Sequence, residues 1–208
     1  MPVIAVATSK GGSGKTTLAA SLAEWWSREG VSVECIDTDP NKNLAEWLAD
    51  TAITCRAVEE DAIIDAVAEA VERADVVVID VAGHLARGML YAITTADLVV
   101  IPCKADRKDV VEACRTQELV ASASKMVKRR IPHAAILTQV NRRASVTEHT
   151  RNQLSVMEVP TLAADLPART AYQQASYTGS PVADPTVRDD IAVIAEEIDS
   201  LLRSGDAA

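Results

Sequence analysis

Apolar residues recur along this chain in two alternating rhythms. Short runs rich in Val and Ile, such as DVVVIDV and DLVVIP, are apolar at nearly every position. Between them lie longer stretches in which apolar residues return every third or fourth position. Continuous short runs suit strands buried on both faces, and the 3.6-residue rhythm suits helices with one face on a core. The pattern predicts strands at Val3–Ala7, Val31–Asp37, Asp75–Val81, Asp97–Pro102 and Ala134–Val140, with a shorter one at Val159–Ala163. It predicts helices at Lys15–Glu29, Asn43–Asp50, Glu59–Arg73, Lys108–Val127, Val146–Val156 and Val187–Leu202. Short strands alternating with longer helices imply an α/β fold: a doubly wound, mostly parallel sheet with helices on both faces. No internal repeat or long linker interrupts the pattern. Residues 1–203 read as one domain, and residues 204–208 as a frayed tail.

Composition sharpens this picture in three places. Of the 208 residues 48% are hydrophobic but only 3% are aromatic, and Phe is absent, so Val, Ala, Ile and Leu must fill the core. The net charge of −9 argues against a chain that coats nucleic acid or membrane with its whole surface. No apolar stretch approaches the ~18 residues of a membrane span, and no basic flank precedes the first strand, so neither anchor nor signal peptide is expected. Cys35, Cys55, Cys103 and Cys114 show no CxxC or clustered Cys/His spacing, and read as free thiols in a reducing cytoplasm.

The chemistry concentrates after the first strand, in TSKGGSGKTT. A phosphate-binding loop of the type Gly-x4-Gly-Lys-Ser/Thr would begin at position 9, where Ser9 replaces the first glycine. The physical logic survives that departure. Gly11, Gly12 and Gly14, with Ser13 among them, let the backbone turn tightly and aim successive N–H groups at phosphate oxygens. The helix starting near Lys15 adds its positive end. Lys15 is placed for the β- and γ-phosphates and the Thr16 hydroxyl for Mg²⁺. Two acidic strand ends follow: Asp37 and Asp39 in VECIDTDP, and Asp80 in VVVID. Ligands in open α/β sheets bind beyond the carboxyl ends of the strands, where carboxylates meet a hard cation or its waters. An Asp in such a place can instead cap the next helix, and that alternative stands for Asp39 and Asp80.

Together KGGSGKTT, CIDTDP, VVVID, TQVNRR and LPARTAYQQASYTGSPV resemble, in order, the ParA/MinD group of deviant Walker ATPases, and the ParA partition ATPases within it. The resemblance implies ATP and Mg²⁺ as cofactors and a homodimer that sandwiches two ATP molecules. By it, Lys10 reaches the partner's nucleotide and Lys15 serves the phosphates of its own subunit. Thr16 ligates Mg²⁺, Thr17 lies near the α-phosphate, and Asp37 and Asp80 support the metal, both through water. Asp39 positions the attacking water, Gly83 stands where the γ-phosphate is sensed, and Asn141 recognises adenine. Lys10, Lys15 and Asp39 are thus the expected catalytic set. Beside the resemblance, Lys10 also reads as a solvated cation at the edge of the loop. The stretch VAGHL after Asp80 departs from the group's Thr-Pro-Pro, and His84 there reads as a hydrogen-bonding neighbour or, less simply, a base or metal ligand. IPCKADRKDV departs from the group's usual Pro-rich loop and keeps only Pro102.

Charge is uneven. Lys104–Arg151 holds eleven Lys/Arg against five Asp/Glu, in a chain that is otherwise strongly acidic. ParA proteins bind nonspecific DNA as ATP-bound dimers, so the resemblance turns Lys125, Lys128, Arg129, Arg130, Arg142, Arg143, Arg151 and Arg169 into DNA-contact candidates; an ordinary solvated face is the plain alternative. It also implies a ParB-like or cargo-adaptor activator and a cytoplasmic, nucleoid-associated protein. The rivals are a MinD-like membrane-associated ATPase and a metabolic P-loop enzyme. The last helix carries Ile191, Ile194, Ile198, Leu201 and Leu202 on one face and mainly acidic residues elsewhere, the wrong sign for an anionic membrane, so no membrane partner is expected.

Overall fold

The structure is a computed structural model and describes residues 1–83, 86–141, 143–178 and 180–205. In chain order it forms β1 (Val3–Val6), α1 (Lys15–Arg28), β2 (Val33–Asp37), α2 (Asn43–Leu48), β3 (Thr54–Ala57), a 3-10 turn (Glu60–Ala62), α3 (Ile63–Val71), β4 (Val76–Asp80) and α4 (Ala86–Thr95). β5 (Leu98–Lys104), α5 (Arg107–Val127), β6 (His133–Val140), α6 (Ser145–Val156), β7 (Thr161–Pro167), α7 (Thr170–Thr178), a second 3-10 turn (Pro181–Ala183) and α8 (Pro185–Gly205) follow. Seven strands make one sheet in the order β3-β2-β4-β1-β5-β6-β7, and every neighbouring pair is parallel.

The central strands are apolar throughout because both of their faces are covered. Alternate side chains serve two cores. Val3 and Ala5 of β1 join Ile79, Val99 and Ile101 against Ile63, Met89, Ile93, Val110 and Leu154 of α3–α6. Ile4 and Val6 join Val78, Val100 and Ile136 against Leu18 and Leu22 of α1, Leu44 of α2, and Ile191, Ile194 and Ile198 of α8. Each such aliphatic removed from water contributes roughly 1.5–3 kcal/mol. β1 and β4 are neighbours, yet β1 feeds α1 on one face and β4 feeds α4 on the other. Their exits diverge and open a crevice at the carboxyl end of the sheet, where such folds bind ligands.

The predicted elements recur with ends displaced by a few residues, and three elements were not predicted. β3 is a short edge strand with half-exposed side chains, including Arg56, and so lacks an apolar run. In α4, Ile-Thr-Thr favours a strand locally, but Met89, Ala92 and Ile93 at helical spacing bury one face and decide the outcome. α7 is short and polar. The last strand, expected as Val159–Ala163, is Thr161–Pro167. α8 continues to Gly205, two residues beyond the expected domain end, and residues 206–208 lie outside the described residues.

Candidate functional site

The turn from β1 to α1 sits in this crevice. Gly14, at φ 94°, is the N-cap of α1 and brings no capping side chain, which leaves the first helical N–H groups facing a ligand rather than a cap. The β4 exit packs directly on this turn: a Cβ added to Gly83 would stand 2.7 Å from the Ser9 carbonyl oxygen, so only glycine fits. A cavity of about 390 Å³ lies over the turn, lined by Gly12, Gly14, Lys15, Thr16, Asp39 and Gly83 among others. Lys15 Nζ donates to the Lys10 carbonyl oxygen at 3.0 Å. Burial lowers its pKa, and the charges of Asp80 and Asp39 partly offset this.

Asp80 ends β4 and is 2% exposed. Thr16 Oγ1 donates to its Oδ2 at 2.6 Å, while Oδ1 is buried with no hydrogen-bond partner among the described residues. Burial pushes the Asp80 pKa up to about 7; the negative charge of Asp37 adds to this, while Thr16 and Lys15 act against it. A buried carboxylate oxygen left unpaired beside a threonine hydroxyl suits a hard dication or its water shell. Among the described residues no group of three or more His, Cys, Asp and Glu could hold a metal by itself. Mg²⁺ there would draw its remaining ligands from water and phosphate, which is its usual habit.

Asp37 is fully buried and does different work. Its Oδ1 accepts the Asp39 N–H at 2.9 Å, and its Oδ2 accepts those of Leu44 and Ala45 at 2.9 and 3.1 Å. The carboxylate therefore holds the start of α2 in place. Burial raises its pKa, and the three backbone donors oppose the rise. Asp39 lines the cavity, and its Oδ1 accepts from Asn41 N and Nδ2, both at 2.9 Å.

A second cavity, of about 560 Å³, adjoins the first and shares Gly14, Thr17 and Gln139 with it. Trp47 of α2 and Arg169, Tyr172 and Ser176 from the β7–α7 region complete its wall. It has room for a nucleoside. Its wall on the β6 side is Gln139; Asn141, two residues on, is exposed, and its Oδ1 accepts the Arg143 N–H at 3.1 Å. Thr138, Gln139, Trp47 and Tyr172 carried no site assignment from the sequence. Thr138 and Gln139 lie in TQVNRR and Tyr172 in LPARTAYQQASYTGSPV, stretches that already carried the resemblance, whereas Trp47 lies in neither.

Lys10 points away from the loop. Its Nζ donates to the buried carboxylate of Asp109 and lies 3.7 Å from Asp106 Oδ1, and the bond to Asp109 raises its pKa. Both acids sit at the start of α5, where Asp106 is the N-cap and accepts the Lys108 N–H at 2.8 Å. Ser9 Oγ donates to Glu112 of the same helix.

The basic candidates do not form one patch. Lys125, Lys128, Arg129 and Arg130 surround the last turn of α5, before β6 begins, at the end of the sheet opposite the cavities. Arg129 there pairs with Asp97 at 3.2 Å and donates to the Ala96 carbonyl at 2.8 Å. Arg143 follows β6, at the end of the sheet that carries the cavities. Arg151 pairs with Asp165 and donates to the carbonyls of Leu162 and Ala163, fastening α6 to β7. Arg169 donates to Asp190 at 2.6 Å on the wall of the larger cavity. Arg142 and His84 lie outside the described residues.

A glycine-rich turn between a buried strand and a helix, Lys-Thr at that helix start and an acid at the neighbouring strand end together define a P-loop nucleotide-binding protein. Residues 4–182 match the CobQ/CobB/MinD/ParA nucleotide binding domain family, and the chain belongs to it. It is 32% identical over 179 residues to Protein ParA of Rhizobium radiobacter, covering 83% of this chain and 81% of that one. It is 26% identical over 206 residues to the maintenance of carboxysome distribution protein A of Halothiobacillus neapolitanus, covering 96% and 94%. Among solved structures, McdA of Cyanothece superposes with a TM-score of 0.81 at 18% identity, covering 95% of this chain and 99% of that one. A variant of that protein was solved as an ATP complex, with a TM-score of 0.76.

Proposed function

We propose that the chain is an ATP-hydrolysing switch of ParA type, which dimerises around ATP and Mg²⁺, binds nonspecific DNA in that state, and positions a cargo. Family membership and the ParA relative support the nucleotide chemistry. The observation that carries the switch is the second lysine. Lys15 is placed for one set of phosphates, and Lys10 stands on the same loop, 31% exposed and, among the described residues, paired with the α5 acids Asp106 and Asp109. A cation so placed serves a second nucleotide once a partner presents one.

Phosphoryl transfer needs charge neutralisation and an oriented nucleophile more than covalent chemistry. Mg²⁺, when bound, would neutralise phosphate charge beside Thr16 and, through water, Asp80; Asp37, committed to the start of α2, supports the site only through the backbone it holds. Lys15 supplies positive charge within the subunit, and Lys10 supplies it across the dimer in the manner of an arginine finger. Asp39 orients the attacking water. The apolar face of α8 is occupied: Val187, Ile191, Ile194 and Ile198 are buried against the sheet. That weighs against use of this helix as an amphipathic membrane anchor. No helix among the described residues is long and apolar enough to cross a membrane.

For DNA we assign the exposed basic end of α5, with Lys125, Lys128 and Arg130. Dimerisation doubles such a patch, and avidity then makes affinity depend on ATP. Reversing all three to Glu is expected to weaken DNA binding at least tenfold and to lower the salt slope by about one per lost phosphate contact, with nucleotide binding unchanged. Unaltered DNA affinity would move the contact to Arg143 and its neighbours. The wider reading is tested by measuring DNA and liposome binding with ATP, with ADP and with neither. DNA binding indifferent to nucleotide would sink the switch.

A further inference from the structure

We infer that Gln139 is a positioning residue for phosphate recognition: from a bulge in β6 it orients a peptide of the glycine-rich turn so that an N–H faces the nucleotide. The inference rests on this chain binding a nucleotide, and on neither dimerisation nor DNA binding.

Three observations meet at this residue. The β6–β7 register slips between Thr138, opposite Leu166, and Val140, opposite Pro167, so Gln139 is the extra residue of a bulge. Its φ is 54°, the left-handed region that glycine or asparagine adopts more cheaply. The other described non-glycine residues with positive φ, Lys42, Lys128 and Glu158, lie at or just beyond helix ends; Gln139 stands inside a strand. Bulges of this kind redirect a side chain, often beside an active site. Here the redirected amide donates from Nε2 to the Gly12 carbonyl oxygen at 3.0 Å. It also lies 3.8 Å from where a Cβ on Gly14 would stand, and it lines both cavities.

The consequence follows from peptide geometry. In a trans peptide the C=O and the N–H of the next residue point in opposite directions. A donor that holds the Gly12 oxygen therefore aims the Ser13 N–H the other way. Thr138 does the same one peptide later: its Oγ1 donates to the Ser13 oxygen at 2.7 Å, which aims the Gly14 N–H. Consecutive residues of β6 thus hold consecutive carbonyls back and leave consecutive N–H groups for phosphate oxygens, the arrangement of an anion-binding nest. Thr138 reaches its partner from regular strand geometry. Gln139, whose side chain would otherwise alternate to the opposite face, reaches only because of the bulge.

The test uses the full chain with Mg²⁺ and two probes, ADP and inorganic pyrophosphate. Gln139→Gly keeps the left-handed backbone and removes the amide; Gln139→Met keeps the length and removes the donor. Both variants are expected to retain the wild-type melting temperature or, for Gly, to exceed it. Both should bind ADP about five- to tenfold more weakly, the scale of one lost orienting hydrogen bond, and pyrophosphate should weaken by the same factor. Wild-type ADP affinity in a folded variant overturns the proposal. So does a loss confined to ADP, which would make Gln139 a direct nucleoside contact. If the glycine variant fails to fold, the methionine variant decides by the same two readings.

Discussion

Lys10→Ala should lose ATP-dependent dimerisation and fall at least a hundredfold in ATP hydrolysis, while the monomer still binds ADP. The size follows from phosphoryl transfer, where one cation supplied in trans changes the rate by roughly 10³–10⁵. ADP binding survives because the cradle uses the Lys10 backbone oxygen, which holds Lys15 Nζ at 3.0 Å, and not its side chain. Truncation has a second effect that must be separated from the first. Asp109 is 2% exposed and would lose its cation, at a cost of about 1–3 kcal/mol. Lys10→Ala/Asp109→Asn should restore that stability without restoring hydrolysis. Size-exclusion profiles with ATP and phosphate release at saturating ATP read the two effects apart. A single variant that dimerises and turns over normally would refute the trans role. The pairing also means that Lys10 must leave Asp109 before it can reach a partner's nucleotide, so Asp109→Asn alone removes one barrier to assembly.

Asp80→Asn should abolish Mg²⁺-dependent nucleotide binding and yet stabilise the ligand-free protein. One oxygen of this buried carboxylate has no hydrogen-bond partner among the described residues, and Asp37 stands close by. Asparagine keeps an acceptor for Thr16 and removes a charge that the fold holds at a cost. The gain is expected at about 1–3 kcal/mol, or some 2–12 °C in melting temperature for a chain of this size. Its sign with pH is definite. The folded pKa of about 7 stands above the ordinary 3.8, so the folded protein holds a proton that the unfolded chain has released. Wild type therefore loses stability from this group as pH rises between those values, and keeps the deficit above them. Melting curves in chelator at pH 5 and pH 8 should show a larger gap between variant and wild type at pH 8. An equal gap, or a destabilised variant, would show that the carboxylate is not strained by its site.

The glycine-rich turn, the two acidic strand ends and the order of strands and helices, apart from β3, α4 and α7, were legible in the chain, because each depends on residues close together in sequence. Continuous Val/Ile runs mean burial on both faces wherever they occur, and Gly11, Gly12, Gly14, Lys15 and Thr16 belong to one turn whose spacing is its own signature. Those local relations were enough to predict an α/β sheet carrying a phosphate site at the start of α1.

What tertiary structure alone decided is which distant residues serve that site. Asp109 meets Lys10 across 99 positions and Gln139 meets Gly12 across 127, and no periodicity carries such information. Gln139 in TQVNRR looks like an exposed strand residue until the bulge turns it toward the loop. Asp37 and Asp80 look alike as strand-end acids. Packing makes one a holder of α2, saturated by three backbone N–H groups, and leaves the other with an unpaired oxygen beside Thr16. The basic residues follow the same rule. Contiguous in the chain between Lys104 and Arg151, they are divided by the sheet, since α5 runs from the nucleotide end to the opposite one. Local sequence chose the elements and the loop; the desolvation and pairing of charges, which depend on what the fold packs around each group, chose the roles.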